Sequence, residues 1–252
     1  MPYFLSPEEL QPGAETTLGG PEGAHLLGAR RLKTGERFAL QDVRGRRFEA
    51  ELLGGARGRA QVRVLRPVAA PPLPPVRLTL LQAVVKDRAA EWIVQKTTEL
   101  GVAEINFFPA ENSTVSARQL FSPRTGARWT RIAMEACKQC DRQAPPAIAV
   151  LPSLAEAIAA GPATETGGGD GDSGWSAAWL LDPEAGLPPA DAPKPGPGQP
   201  AARLLVGPEG GLSGPEREAA LAAGFAPVRL GAQLLRAETA ALAGCSLLLF
   251  AG

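Results

Sequence analysis

Apolar and polar residues alternate along the N-terminal part of the chain. Residues 37–43 and 47–52 flank a glycine turn, and residues 60–65 alternate again. Alternation that is bounded by glycine turns is typical of short antiparallel strands with one buried face. The pattern therefore predicts a small β-rich domain over residues 1–70. The five prolines within residues 67–75 predict a stiff connector at its end.

From residue 76 onward, short apolar runs alternate with longer segments of helical periodicity. This alternation favours an α/β fold in which helices cover a mainly parallel sheet, and it predicts a second domain over residues 76–252. Residues 161–174 and 183–200 are rich in glycine, proline and aspartate, so we expect surface loops without a catalytic role there. The predicted strands are 76–81, 104–108, 147–151, 177–181, 203–206 and 227–230, and the predicted helices are 89–100, 124–142 and 154–160.

Composition narrows the class of protein. No apolar run in the 252 residues approaches the length of a bilayer span, and the N-terminus lacks the pattern of a signal peptide. We therefore expect a soluble, cytoplasmic protein with no membrane partner. The one histidine, His25, gives little basis for a histidine metal site, and we expect it near the start of a helix. Cys137 and Cys140 are spaced like half a zinc site or a redox pair, but without a second pair we predict a structural role and no metal.

Charge is unevenly distributed although the net charge is zero. From Arg30 to Arg66 there are eleven basic and four acidic residues, whereas residues 151–228 have the opposite bias. A basic module of this kind suits contact with a nucleic-acid phosphate backbone. A solvated, charged sheet face explains the same pattern equally well.

A glycine-rich turn follows the strand predicted at 203–206. It contains Gly207–Gly211, and Ser213 with Glu216 has the capping-box spacing of a helix start. Glycines between a strand and a helix allow backbone amides to approach a ligand closely. The segment lacks both the lysine of a Walker A loop and the spacing of a dinucleotide fingerprint. A tight turn without a ligand is an alternative, but the carboxylate of Glu209 favours a cationic or donor-rich ligand.

A second glycine turn follows closely in sequence. The predicted strand ends at Leu230 and Gly231, and a helix is predicted to begin near Arg236. Taken alone, Arg236 and Glu238 fit an ordinary helix start. The two turns together nevertheless predict two neighbouring edges that face a ligand.

Five segments of the chain carry a family resemblance. Residues 207–213 read Gly-Pro-Glu-Gly-Gly-Leu-Ser, residues 230–240 contain Leu-Gly and Leu-Arg-Ala-Glu-Thr-Ala, and the likeness continues in residues 25–36, 92–102 and 135–142. In order and spacing they resemble the RsmE-type 16S ribosomal RNA uridine-N3 methyltransferase family of the SPOUT superfamily. The resemblance implies a PUA-like β-barrel, a second domain with a trefoil knot, a homodimer, and S-adenosylmethionine as cofactor. It also implies that the substrate is N3 of one uridine in the 16S rRNA of the small ribosomal subunit.

The resemblance also implies roles for particular residues. We expect Arg142 and Arg236 to stabilise negative charge on the uracil carbonyls, and Glu209 to accept the N3 proton or hold an arginine. The alternative for each is a structural ion pair. The predicted cofactor-binding residues are Leu181, Val206, Gly207, Glu209, Gly210, Gly211, Leu230, Gly231, Leu234, Leu235, Arg236, Glu238 and Thr239. The predicted RNA-binding residues are Arg30, Arg31, Lys33, Lys86, Lys96, Lys138 and Gln139.

Three positions depart from the family pattern. Gln233 stands where relatives have arginine, Asp141 where glycine is common, and Ala237 where threonine is frequent. Three alternatives also remain at this level. They are a SPOUT enzyme that acts on another rRNA or tRNA site, a non-catalytic RNA-binding protein of the same fold, and a nucleotide-binding α/β enzyme whose glycine turn holds phosphate.

Overall fold

The computed structural model divides the chain into two compact units. The first consists of Met1–Pro72 with Glu135–Ala144, and the second of Leu73–Met134 with Pro145–Gly252. The described residues are 3–72, 74–115, 122–160, 175–196 and 201–250.

The first unit is built on a five-stranded sheet. Its strands are β1 (Tyr3–Leu5), β2 (Glu15–Leu18), β3 (Arg37–Gln41), β4 (Arg47–Ala56) and β5 (Arg59–Pro67). They lie in the order β1-β3-β4-β5-β2, and every neighbouring pair is antiparallel except β1 with β3. In β5, Ala60, Val62 and Val64 are buried, whereas Gln61 and Arg63 are exposed. The sequence alternation is therefore confirmed as strands with one buried face.

A short helix and a π-helical turn close one side of this sheet. Helix α1 (Gly20–Ala24) runs directly into the π-helical turn His25–Ala29. Gly23 lies so close to the carbonyl oxygens of Leu18 and Gly58 that a side chain would not fit. His25 packs its ring against Phe4, with centroids 5.4 Å apart. His25 is the first residue of the π-helical turn, as the prediction of a helix start there requires, although the helical segment as a whole begins at Gly20.

The second unit contains a six-stranded parallel sheet covered by helices. The strand order is β11-β9-β10-β6-β7-β8, and all five neighbouring pairs are parallel. The predicted α/β fold with a parallel sheet is confirmed. The strands are β6 (Arg77–Ala83), β7 (Glu104–Phe108), β8 (Ala147–Val150), β9 (Ala177–Leu181), β10 (Ala201–Val206) and β11 (Ala226–Val228). The helices are α2 (Asp87–Leu100), α3 (Pro123–Cys140), α4 (Leu154–Ala159), α5 (Gly214–Ala222) and α6 (Ala237–Phe250). The last six residues of α3, from Glu135 on, belong to the first unit.

Most elements predicted from residue 76 onward have bounds that differ from the structure by one or two residues, and the ends of α3 and β11 are examples. Helix α3 ends at Cys140 because Asp141 takes a left-handed conformation, with φ at +66°. Strand β11 ends at Val228, and Arg229 begins the turn that follows it. No helix of the described residues combines the length and the apolarity that crossing a membrane requires.

The core of the second unit lies between the sheet and its helices. Helix α2 buries Ala90, Ile93 and Val94 along one face and ends at Leu100. Gly101 caps it with a φ of +97°, which favours glycine. The rings of Phe107 and Trp129 stack at 4.2 Å. Helix α6 is apolar nearly all round and buries small residues against the sheet.

Gly244 of α6 tests how tightly this core is packed. A Cβ atom there would lie 2.8 Å from Cδ2 of Leu204 and 3.1 Å from Cδ1 of Leu181. We expect Gly244→Ala to lower the free energy of unfolding by about 1–3 kcal/mol, as overpacking does. Gly126→Ala is the matched control, because Gly126 is also helical but its Cβ would meet open space. The control should be neutral or stabilise by up to about 1 kcal/mol. Equal effects in urea denaturation would contradict the tight packing of α6.

Candidate functional site

Three neighbouring strands end at the same edge of the parallel sheet. Leu181 at the end of β9 is paired with Val206 at the end of β10 and with Val228 at the end of β11. The turns that follow these strands are therefore brought side by side, at the edge where open α/β sheets bind ligands. Together they line a cleft of about 560 Å³.

The turn after β10 is tight and rich in glycine. The Gly211 N–H donates to the Pro208 carbonyl at 2.9 Å, and Gly211 has a φ of +72° that favours glycine. At Gly207 the restriction is space, because a Cβ atom would lie 3.2 Å from the backbone nitrogen of Leu212. The backbone of this turn therefore lies directly at the cleft wall, while the Glu209 side chain is exposed.

Helix α5 starts where the sequence predicts it. The Glu216 carboxylate accepts a hydrogen bond from the Ser213 N–H at 2.9 Å, which is the returning half of the predicted capping box. This bond fixes the direction in which the chain leaves the glycine turn.

The turn after β11 is held by its own first residue. The Arg229 side chain donates to the carbonyl oxygens of Gly231 and Ala232 at 2.8 and 3.3 Å, so the loop folds around the guanidinium. Leu234 is 81% exposed, although it also lines the cleft. Gln233 lines the cleft too, where relatives were expected to have an arginine.

The turn after β9 contributes residues that the sequence analysis missed. Asp182 is buried, and its carboxylate accepts from the Glu184 N–H at 2.9 Å and from Nε of Arg217 at 2.7 Å. Asp182 and Arg217 both line the cleft and join the end of β9 to α5. The available signal was weak, since Asp182 is a single acidic residue directly after an apolar strand.

The cleft brings together most of the predicted cofactor-binding set. Only Glu238 and Thr239, in the first turn of α6, are not among the lining residues. The members that line the cleft are Leu181, Val206, Gly207, Glu209, Gly210, Gly211, Leu230, Gly231, Leu234, Leu235 and Arg236. Their contact with a cofactor stays a prediction.

Arg142, predicted as catalytic, belongs to the first unit. It is buried, and desolvation lowers the pKa of its guanidinium despite the opposing influence of Cys137, Cys140 and Tyr3. Its backbone carbonyl accepts a hydrogen bond from the Tyr3 hydroxyl at 2.8 Å. Its role in catalysis stays a prediction.

The neighbouring Asp141 explains one departure from the family pattern. Its φ of +66° is a conformation that glycine adopts freely, and aspartate is one of the residues that tolerate it. The Asp141 carboxylate pairs with Arg47, whose guanidinium lies 4.1 Å from the centre of the Tyr3 ring. The substitution is therefore accommodated by an ion pair within the first unit.

The two cysteines of α3 are compatible with a structural role. Cys137 is buried, and desolvation raises the pKa of its thiol to about 11, so the reactive thiolate is rare near neutral pH. No cluster of three or more potential metal ligands occurs among the described residues.

The predicted RNA-binding residues differ in exposure. Arg30, Arg31, Lys33, Lys86 and Gln139 are exposed. Lys96 is half-buried, pairs with Glu99 at 2.8 Å and lies 5.2 Å from the Trp92 ring.

Lys138 is buried within the first unit. Its ammonium pairs with Glu22 and, at 3.1 Å, with Glu135. Desolvation opposes its charge, but the two carboxylates outweigh it and raise its pKa. Lys138 is therefore already neutralised, and we expect it to contribute less to phosphate binding than the exposed cations do.

Comparisons with known proteins identify the family of the chain. Residues 72–249 match a family model described as an RNA methyltransferase domain. The ribosomal RNA small subunit methyltransferase E of Mycobacterium bovis is 31% identical, covering 91% of this chain and 84% of that protein.

Two solved structures resemble the whole chain. A methyltransferase of Legionella pneumophila, solved with bound S-adenosylmethionine, is 27% identical with a TM-score of 0.82 and covers 100% of this chain and 98% of its own. The small-subunit methyltransferase E of Neisseria gonorrhoeae, also bound to S-adenosylmethionine, is 29% identical with a TM-score of 0.78. The match covers 98% of this chain and 95% of that protein. From the family model and the curated relative together, the chain belongs to the RNA methyltransferase domain family.

Proposed function

We propose that this protein transfers a methyl group from S-adenosylmethionine to N3 of a specific uridine in the 16S rRNA of the small ribosomal subunit. The observation that carries the proposal is the cleft formed by the turns after β9, β10 and β11. Relatives named small-subunit rRNA methyltransferase E, and the neighbours solved with S-adenosylmethionine, support the choice of substrate and cofactor.

The residues of the cleft fit S-adenosylmethionine. Its volume of about 560 Å³ lies within the usual range of small-molecule sites. A Cβ atom at Gly207 would lie 3.2 Å from the backbone nitrogen of Leu212, a tight contact, and without a side chain there a ligand would meet backbone amides and carbonyls. Glu209 and Glu184 line the same cleft and supply carboxylates that suit a cationic sulfonium, whereas the Asp182 carboxylate is already paired with Arg217. The turns at 206–211 and 230–236, with Leu181, would hold the cofactor.

The chain's own residues have two tasks in this reaction. When bound, S-adenosylmethionine supplies an electrophilic methyl group, so the protein must position the uracil and control one proton. We assign proton acceptance from N3 to the exposed carboxylate of Glu209. We assign the stabilisation of negative charge on a uracil carbonyl to Arg236, which lines the cleft. The same role for Arg142 stays a prediction.

The finer architecture belongs to the proposal as well. We infer a SPOUT-type trefoil knot in the second unit, a PUA-like barrel in the first, and a homodimer in the cytoplasm. The homodimer is what the family resemblance implies, and the second unit has exposed apolar side chains that such a contact would cover. Trp92, Leu234, Leu235 and Phe250 of the second unit are all exposed.

The activity can be tested on rRNA from cells. Mass spectrometry of 16S rRNA should detect one methylated uridine that disappears when the gene is deleted and returns when it is restored. Glu209→Gln should not restore it fully, because the loss of a general base lowers turnover by about 10²–10⁴-fold. Glu218→Gln is the control and should restore methylation, because Glu218 is an exposed carboxylate of α5 that does not line the cleft.

Other results would redirect the proposal. If 16S rRNA were unchanged and a tRNA lost a methyl group, the substrate assignment would be wrong. S-adenosylmethionine binding without any lost methylation would favour a non-catalytic RNA-binding protein. Tight binding of a nucleotide phosphate instead would favour a phosphate-binding enzyme.

Cofactor binding should depend on the space at Gly207. We expect Gly207→Val to abolish binding of S-adenosylmethionine in calorimetry, because its side chain would collide with the Leu212 backbone. Gly186→Val is the matched control, since no atom lies within 4 Å of a Cβ there. Normal binding of S-adenosylmethionine by Gly207→Val would show that the cofactor does not bind at this turn.

The basic segment of the first unit should supply RNA affinity. Arg30, Arg31 and Lys33 are exposed and have no ion pair among the described residues. The logarithm of RNA affinity falls as the logarithm of salt concentration rises. Changing all three residues to glutamine should make this slope less negative by roughly two to three. The control changes Arg37, Arg63 and Arg66 to glutamine, because these already pair with glutamates. An unchanged slope in filter binding, or an equal loss in both variants, would contradict the assignment.

A further inference from the structure

A segment distant in sequence packs against the glycine turn of the cleft. Residues 109–113 follow β7, and their fold is fixed locally. The Ser113 N–H donates to the Ala110 carbonyl at 3.0 Å, and the Ala110 N–H donates to the Ser113 hydroxyl at 3.1 Å. This small turn presents Asn112 to the chain that follows β10.

The Asn112 side chain binds two carbonyl groups of the glycine turn. Its amide nitrogen donates to the Gly211 oxygen at 3.1 Å and to the Gly210 oxygen at 3.3 Å. A peptide unit is planar and trans, so fixing a carbonyl oxygen also fixes the N–H of the next residue on the opposite side. Asn112 thus orients the N–H groups of Gly211 and Leu212. The first donates to the Pro208 carbonyl within the turn, and Leu212 lines the cleft.

At Gly210 the restriction on a side chain comes from this contact and not from the backbone conformation. A Cβ atom at position 210 would lie 3.0 Å from Cβ of Asn112 and 3.3 Å from its carbonyl oxygen. Gly210 has no positive φ, in contrast to Gly211. Glycine is therefore favoured at these two adjacent positions for different reasons, and only the reason at position 210 involves Asn112.

A second bond joins the same two segments. One oxygen of the Glu216 carboxylate accepts from the Glu111 N–H at 2.9 Å, and the other accepts from the Ser213 N–H at 2.9 Å. The segment after β7 is thereby held both to the glycine turn and to the first turn of α5. Two points of attachment restrict rotation of the turn more than either one alone.

We infer that Asn112 is a positioning residue for cofactor binding, which acts by holding the Gly210 and Gly211 peptide groups in their binding orientation. It does not line the cleft itself. The inference rests on the proposed cofactor site but not on the identity of the methylated nucleotide.

The sharpest test is Asn112→Asp, which keeps the side-chain shape and removes both donors. A carboxylate facing two carbonyl oxygens is also repelled by them. We expect the dissociation constant for S-adenosylmethionine to rise roughly tenfold or more in calorimetry, since each lost hydrogen bond has a modest net value. With saturating RNA, KM for the cofactor should rise while kcat changes little. Unfolding should remain normal because Asn112 is exposed.

Thr114→Asp is the matched control for the added charge. Thr114 lies on the same segment and is exposed, so its variant should bind the cofactor normally. In the protein without cofactor, hydrogen exchange of the amides at 210–212 should be faster in Asn112→Asp than in Thr114→Asp. Wild-type binding and exchange in Asn112→Asp would overturn the inference. Faster exchange with wild-type affinity would also overturn it, because the ordering of the turn would then not control binding.

A double-mutant cycle measures the contact directly. Gly210→Ala should weaken cofactor binding in the wild-type background, because the new methyl group meets Asn112. In the Asn112→Gly background the opposing Cβ is gone, so the added effect of Gly210→Ala should shrink. If the effects of the two substitutions on cofactor affinity were fully additive, the contact between positions 112 and 210 would not be the cause of the weaker binding. Failure of the wild-type protein to bind S-adenosylmethionine would instead refute the proposed function.

Discussion

The parallel register of β9, β10 and β11 is the constraint on which the site depends. Leu181 is paired with both Val206 and Val228, so three strands stop at one level and three turns are set side by side. None of these turns is a binding site alone, because each supplies one wall of the cleft. A slip of one residue in this register would turn alternate side chains to the opposite face and move a turn out of line.

The turns depend in different degrees on distant residues. The turn after β11 is folded by Arg229, which belongs to it. The glycine turn after β10 is supported from outside by Asn112, and the segment that contains Asn112 is held in turn by the Glu216 carboxylate. The turn after β9 is tied to α5 through Asp182 and Arg217. Among the three walls, the glycine turn is therefore the one that depends most on residues distant in sequence.

In the first unit, Asp141 stands at a position where glycine is common in the family. Asp141 occupies a left-handed position at which glycine would be free of strain, and its carboxylate pairs with the buried Arg47. An isolated buried guanidinium would be costly, and Asp141 compensates it. The departure at this position therefore has a partner within the same unit. Nothing in the structure explains why Ala237 replaces threonine.

The local pattern alone determined the strands, the parallel sheet, the glycine turns and the Glu216 half of the capping box at α5. Each of these follows from residues that are close in sequence, such as Ser213 with Glu216. The tertiary structure alone decided that Asn112 supports Gly210 and Gly211, and that Asp182 pairs with Arg217. No periodicity or spacing in the sequence predicts either contact, because sheet pairing brings together residues that lie far apart along the chain. Gly210 and Gly211 are adjacent and identical in sequence, but a side chain at 210 would press against Asn112, whereas Gly211 has a positive φ. Only the folded backbone shows this difference.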